Sequence, residues 1–160
     1  MSLAQQVEHA AERAAAAGDG PWHVEQVDGD RRIACDLLAI ENLACAFDRL
    51  QLDDAAWAGR PMERIRATAE ELARRLTYLL EPIRPIETDA ERCIVQMRSS
   101  PPRADEDRTS YYELLVQRGG SLSLVRFEKP AGEVRRPVPI FVTREVFRRL
   151  IADFAAAGQG

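Results

Sequence analysis

Hydrophobic and polar positions alternate most clearly between Thr109 and Lys129, TSYYELLVQRGGSLSLVRFEK. Two runs rich in Tyr, Leu, Val and Phe flank Gly119-Gly120. A Gly-Gly pair supplies the positive φ that a two-residue type I′ turn needs. With those glycines as the loop, Arg118 faces Ser121, Val116 faces Ser123, Leu114 faces Val125 and Tyr112 faces Phe127. On the opposite face Gln117 meets Leu122, Leu115 meets Leu124 and Glu113 meets Arg126. Both faces then carry large apolar side chains. This predicts a hairpin near the middle of a sheet, partly covered on both sides, with Leu124 in the core.

The other elements are read around that hairpin. Residues 2–17 have high helix propensity, with Ser2 as cap and a thin apolar face of Leu3, Val7, Ala10 and Ala14. Such a helix lies on the sheet, meets a partner or frays. Trp22 to Val27 reads as a strand, and Asp28-Gly29 is a hairpin turn signal. The stretch 31–52 fits two periods. As strands, Ile33, Cys35 and Leu37 share one face, and Leu43, Cys45 and Phe47 share another. As a helix, Ile33, Leu37, Ile40, Ala44 and Phe47 make a stripe. Its Leu/Ala composition favours helix. The upstream turn and the consistent parity favour strands, and we read a three-stranded meander.

Pro61 can start a helix, and Ile65, Ala69, Leu72, Leu76 and Leu79 give it a buried stripe through 61–80. Pro82 and Pro85 stop it. Cys93 to Arg98 reads as a strand and Ser99 to Asp107 as a loop. Val134 to Val142 suggests a last strand, which Pro137 and Pro139 confine to an edge. Thr143 caps a helix to residue 156 with Val146, Phe147, Leu150, Ile151 and Phe154 inward. The expected architecture is a single α+β domain over 1–160. A mainly antiparallel β-sheet, whole or in two sub-sheets, is flanked by three helices, 2–17, 61–80 and 143–156.

Charge changes this picture little. The net charge is −4 over 160 residues. Residues 1–80 hold 9 Arg and 14 Asp/Glu, and the excess disappears in the second half. No polybasic footprint marks a nucleic-acid or anionic-membrane surface. Lys129 is the one lysine, a bias that suggests a GC-rich bacterial genome. Neither an apolar leader nor an 18-residue apolar run is present, and three widely spaced cysteines do not make a disulfide framework. The expected compartment is the cytoplasm.

The chemistry-bearing residues are sparse. His9 and His23 have no second histidine at metal-ligand spacing, so each reads as a surface residue. Cys35 and Cys45 share the apolar face of their strands and read as small buried hydrophobes. Glu87, Asp89 and Glu91 alternate and could offer three oxygens to a hard cation, although a solvated turn explains them as well. Arg135-Arg136 and Arg148-Arg149 read as solvated charge. The least ordinary loop is 98–103. There Arg98, Ser99, Ser100 and Arg103, with Tyr111 and Tyr112 just downstream, could hold a carboxylate or phosphate. The plainer reading is an Arg-capped surface turn. No catalytic residue, metal site or cofactor is expected.

Two functional readings follow. One is a non-catalytic protein-interaction or chaperone-like protein of the bacterial cytoplasm. It would form a homodimer or meet a protein partner through edge strand 134–142 or helix 2–17. The order helix, strands, helix, strands, helix in a small acidic chain resembles type III secretion chaperones in layout, with no motif behind it. The alternative is an enzyme or binding protein for a small anionic ligand held by Arg98 and Arg103.

Overall fold

The structure, a computed structural model, describes residues 1–92, 94–100, 102–117 and 119–159. Helix α1 (Leu3–Ala17) precedes strands β1 (Trp22–Asp28), β2 (Arg31–Ile40) and β3 (Ala44–Asp54). Helix α2 (Met62–Arg75) continues as a 3₁₀ turn over Leu76–Leu79. Then come β4 (Ile83–Asp89), β5 (Ile94–Ser99), β6 (Arg103–Asp105), β7 (Arg108–Gln117), β8 (Ser121–Pro130), β9 (Arg136–Val138) and β10 (Ile140–Thr143). Helix α3 (Arg144–Ala156) ends the fold. All strands pair antiparallel in one sheet, in the order β1-β2-β3-β8-β7-β5-β4. The fold is therefore α+β with three helices, and 31–52 is two strands of a meander.

The helices lie on one face of this sheet. Helix α1 packs on β1 and β2, α3 on β3 and β10, and α2 on β4, β5 and β7, with α3 touching both other helices. The thin stripe of α1 is thus docked, with Leu3, Val7 and Ala11 buried. Ser2 closes a capping box with Gln5, and Glu8 and Glu12 meet Arg148 and Arg144 of α3. Thr143 accepts from the Val146 N–H and starts α3 where expected. The core of Trp57, Phe47, Ile33, Leu50, Phe154 and Leu114 fills the space between sheet and helices.

The central hairpin differs from expectation by one residue. Gln117 pairs with Ser121, Val116 with Leu122, Leu114 with Leu124 and Tyr112 with Arg126. The loop therefore spans three residues, 118–120, and the expected Arg118–Ser121 pairing fails by register, although Arg118 itself lies outside the described residues. Gly120 takes φ 105°, the left-handed residue that closes a three-residue loop. Its carbonyl accepts the Asp54 N–H at 2.7 Å. A Cβ there would sit 2.4 Å from the Asp54 carbonyl oxygen. The shift by one residue places Leu114, Val116, Leu122 and Leu124 on the same buried face. The opposite face carries Tyr111, Leu115, Val125 and Phe127 beside Glu113 and Gln117, with Tyr111 and Ser123 buried and with Arg98 and Arg135 lying over the Tyr111 and Phe127 rings, so both sides are partly covered as expected.

Two further expectations change. Ile83–Asp89, read as helix stop and solvated turn, is an edge strand whose Pro85 sits at a bulge where it disturbs the ladder least. Cys93, expected to open the next strand, lies outside the described residues. The expected edge strand 134–142 is two short strands. Strands β3 and β8 pair only over Leu50–Asp53 and Ser121–Leu124, and then diverge into a fork. The chain enters that fork along β8 as β9, turns at Pro139, and leaves along β3 as β10. Neither β9 nor β10 pairs with the other, so each keeps one free edge facing into the fork.

Candidate functional site

The fork opens beside the end of α2, and the two together form a cleft of about 640 Å³. The 3₁₀ turn supplies Tyr78 and Leu79 and then Leu80 and Glu81. Leu80 adopts φ 65°, the left-handed region that is costly for a branched side chain. Its side chain is pushed into solvent and is 91% exposed. The opposite lip comes from Pro139, Phe141 and Val142 of the fork, and Phe141 is 75% exposed. Tyr112, Arg126 and Arg103, with Thr143 and Val146 at the start of α3, complete the lining.

The polar end of the cleft is partly organised. Arg126 donates to Glu81 at 3.1 Å and to Ser110 Oγ at 3.0 Å, and its guanidinium stands 4.4 Å from the Tyr112 ring centre. Burial raises the Tyr112 phenol pKa above its ordinary value. Tyr78 donates to Asp153, and burial together with that bond pushes its pKa far up. Both phenols stay protonated at neutral pH; Tyr78 is the donor to Asp153, whereas the Tyr112 oxygen accepts from Arg126. Arg103 is exposed, and its side chain has no hydrogen-bond or ion-pair partner among the described residues.

The residues expected to form one anion site do not converge. Arg98 pairs with Glu113 and Arg103 with Ser110. Positions 113 and 110 have opposite parity on β7, so the two guanidinium groups lie on opposite faces of the sheet. Arg98 stands 4.9 Å from the Tyr111 ring centre. Its Nε is 3.4 Å from the Glu113 carboxylate but too poorly aligned for a hydrogen bond, and is buried without one. Tyr111 accepts from Arg135, which also donates to Glu113 at 2.6 Å. Ser99 is buried: its Oγ accepts the Tyr112 N–H at 2.9 Å and donates to Glu81 at 3.0 Å. The Ser100 N–H donates to the Pro82 carbonyl at 2.8 Å. Of the residues expected there, Arg103 and Tyr112 reach the cleft, and Arg98, Ser99, Ser100 and Tyr111 do not. Sequence reading missed Leu80, Arg126 and Phe141. Arg126 was hidden by the one-residue register error, which paired it with Glu113 on the wrong face.

The remaining candidates have structural surroundings. His23 bonds Asp36 at 2.8 Å and Glu25 at 3.2 Å on the exposed face, and these carboxylates raise its pKa above 6.5. Cys35 and Cys45 are buried free thiols, and burial pushes Cys45 up to about 12. Asp89 accepts the Arg92 N–H in a turn. Among the described residues no group of three or more His, Cys, Asp or Glu side chains is placed to hold a metal ion. No helix among them is long and apolar enough to cross a membrane.

No protein-family model, no curated protein and no solved structure matches the chain.

Proposed function

We propose that this chain is a non-catalytic, chaperone-like interaction protein of the bacterial cytoplasm, and that the fork cleft is its docking surface. The observation that carries this reading is the pairing of Leu80 and Phe141, exposed at 91% and 75%, on the two lips of one cleft. Covering two such side chains stabilises a complex by about 1.5–3 kcal/mol each. Leu80 also holds a backbone conformation unfavourable for leucine, so neither its exposure nor its geometry serves the isolated fold. The cytoplasmic assignment is supported by the buried, unpaired thiols of Cys35 and Cys45. The bacterial assignment rests on the arginine bias.

The small-anion reading loses one of its two arginines, because Arg98 faces away from the cleft. Its remaining support is Arg103. Native mass spectrometry on protein purified gently from its own host separates the readings. We expect wild type to carry a polypeptide that the Leu80→Ser/Phe141→Ser double variant does not. A bound small anion that disappears on Arg103→Ala, with no polypeptide, would overturn the interaction reading in favour of the anionic ligand.

A further inference from the structure

The fork exposes main chain as well as side chains. The Arg144 N–H donates to the Leu43 carbonyl at 3.0 Å, in the same register that pairs Thr143 with Ala44 and Phe141 with Ala46. Antiparallel ladders alternate bonded and non-bonded pairs. Val142 and Ile140 therefore exchange bonds with Cys45 and Phe47. The N–H and C=O of Phe141 and the N–H of Thr143 point the other way, into the fork. None of these three groups has a partner among the described residues. They form a short acceptor edge inside the sheet, beside exposed apolar lips.

Charge adds a second constraint. The ionisable lining comprises Arg103 and Arg126 against Glu81, a net positive cleft in a chain of net charge −4. An incoming group near Arg103 is favoured if it is an anion.

Building on the interaction reading above, we propose that the fork accepts one extended strand of a partner polypeptide. That strand pairs with the free edge of β10 at Phe141 and Thr143. Its side chains alternate between the two faces of the sheet, one set against Phe141 and the other toward Leu80, and it brings a carboxylate to Arg103. Main-chain bonds hold such a strand regardless of its sequence, while the alternate side chains and the carboxylate select it. A second copy of this chain fits less well. Fork against fork would set Arg103 and Arg126 against their own copies. Fork against the outer edge at β1 is a heterologous contact, which builds a ring or a filament rather than a dimer.

The test uses a positional-scanning library of N-acetylated, C-amidated heptapeptides, immobilised and probed with the full chain. Expected is enrichment of apolar residues at positions of both parities, one for Phe141 and one for Leu80, with Asp or Glu near one terminus. That acidic preference should vanish in Arg103→Ala. At saturation with the best peptide, amide exchange at Phe141 and Thr143 should slow by at least about tenfold. Methylating the peptide nitrogens that face β10 should abolish binding. A peptide that binds at Leu80 and Phe141 yet leaves those two amides exchanging freely overturns strand addition and leaves the interaction reading standing. No enriched sequence, together with no polypeptide in the native preparation, overturns both. A concentration-dependent dimer that protects the same amides makes a second copy the occupant and overturns the proposal.

Discussion

Arg31 and Asp54 form an ion pair at 2.7 Å with side chains only 10% and 5% exposed, where the first meander meets the C-terminal helix. The other guanidinium nitrogen of Arg31 donates to the Phe154 and Ala157 carbonyls at 3.2 and 2.9 Å, which ties down the end of α3. Asp54 in turn accepts the Ala56 N–H and caps the turn that carries buried Trp57. Removing one partner leaves the other charge buried without compensation. Arg31→Met should therefore cost about 3–5 kcal/mol in urea denaturation, and Asp54→Asn on that background should recover part of it. A single-variant loss below about 1 kcal/mol would show that the pair contributes little.

Gly120→Ala should cost more than about 2 kcal/mol, since an added methyl meets main chain rather than a movable side chain. The comparison is Gly119→Ala, where a Cβ meets nothing within 4 Å. Equal midpoints for the two variants would contradict the close approach of residue 120 to Asp54.

Leu80→Gly should raise stability by about 1 kcal/mol, because glycine adopts φ 65° without the Cβ penalty and little burial is lost. The same variant should weaken whatever polypeptide the cleft takes. Gained stability with undiminished binding would separate Leu80 from the docking surface.

Cys35 and Cys45 should label slowly with a thiol reagent in native buffer at pH 8. Burial raises both thiols, Cys45 to about 12, so the reactive thiolate is scarce until the solution is strongly alkaline. Labelling at the denatured rate would refute their burial.

Strong periodicity made the helices and the meander legible in the amino-acid pattern. Ile65, Ala69, Leu72, Leu76 and Leu79 are all buried as their spacing required. The parity of Ile33, Cys35 and Leu37 selected strands over helix correctly. The hairpin failed on a subtler matter. Gly119-Gly120 marks a turn, but two-residue and three-residue loops share that signal, and the choice decides which face each partner strand presents. That error split Leu114 from Leu124 and hid Arg126 from the cleft. Strand β4 was lost because Pro82 and Pro85 read as breakers, although an edge bulge tolerates proline. The fork was illegible for another reason. It depends on β3 and β8 diverging, and no local pattern in residues 134–142 reports that.

The brevity of the β3–β8 seam has a kinetic consequence. Residues 22–54 and 83–130 each form from neighbours in sequence, whereas pairing Leu52 with Leu122 closes a long loop before it returns any contact energy. The two halves should become ordered quickly and separately, and joining them should set the refolding rate. Leu52→Ala should then slow refolding more than it speeds unfolding, while Ile33→Val, inside the first meander, should act mainly through unfolding. The divergence that opens the cleft also shortens the seam, so the geometry that leaves room for a partner is the same geometry that makes this chain slow to assemble.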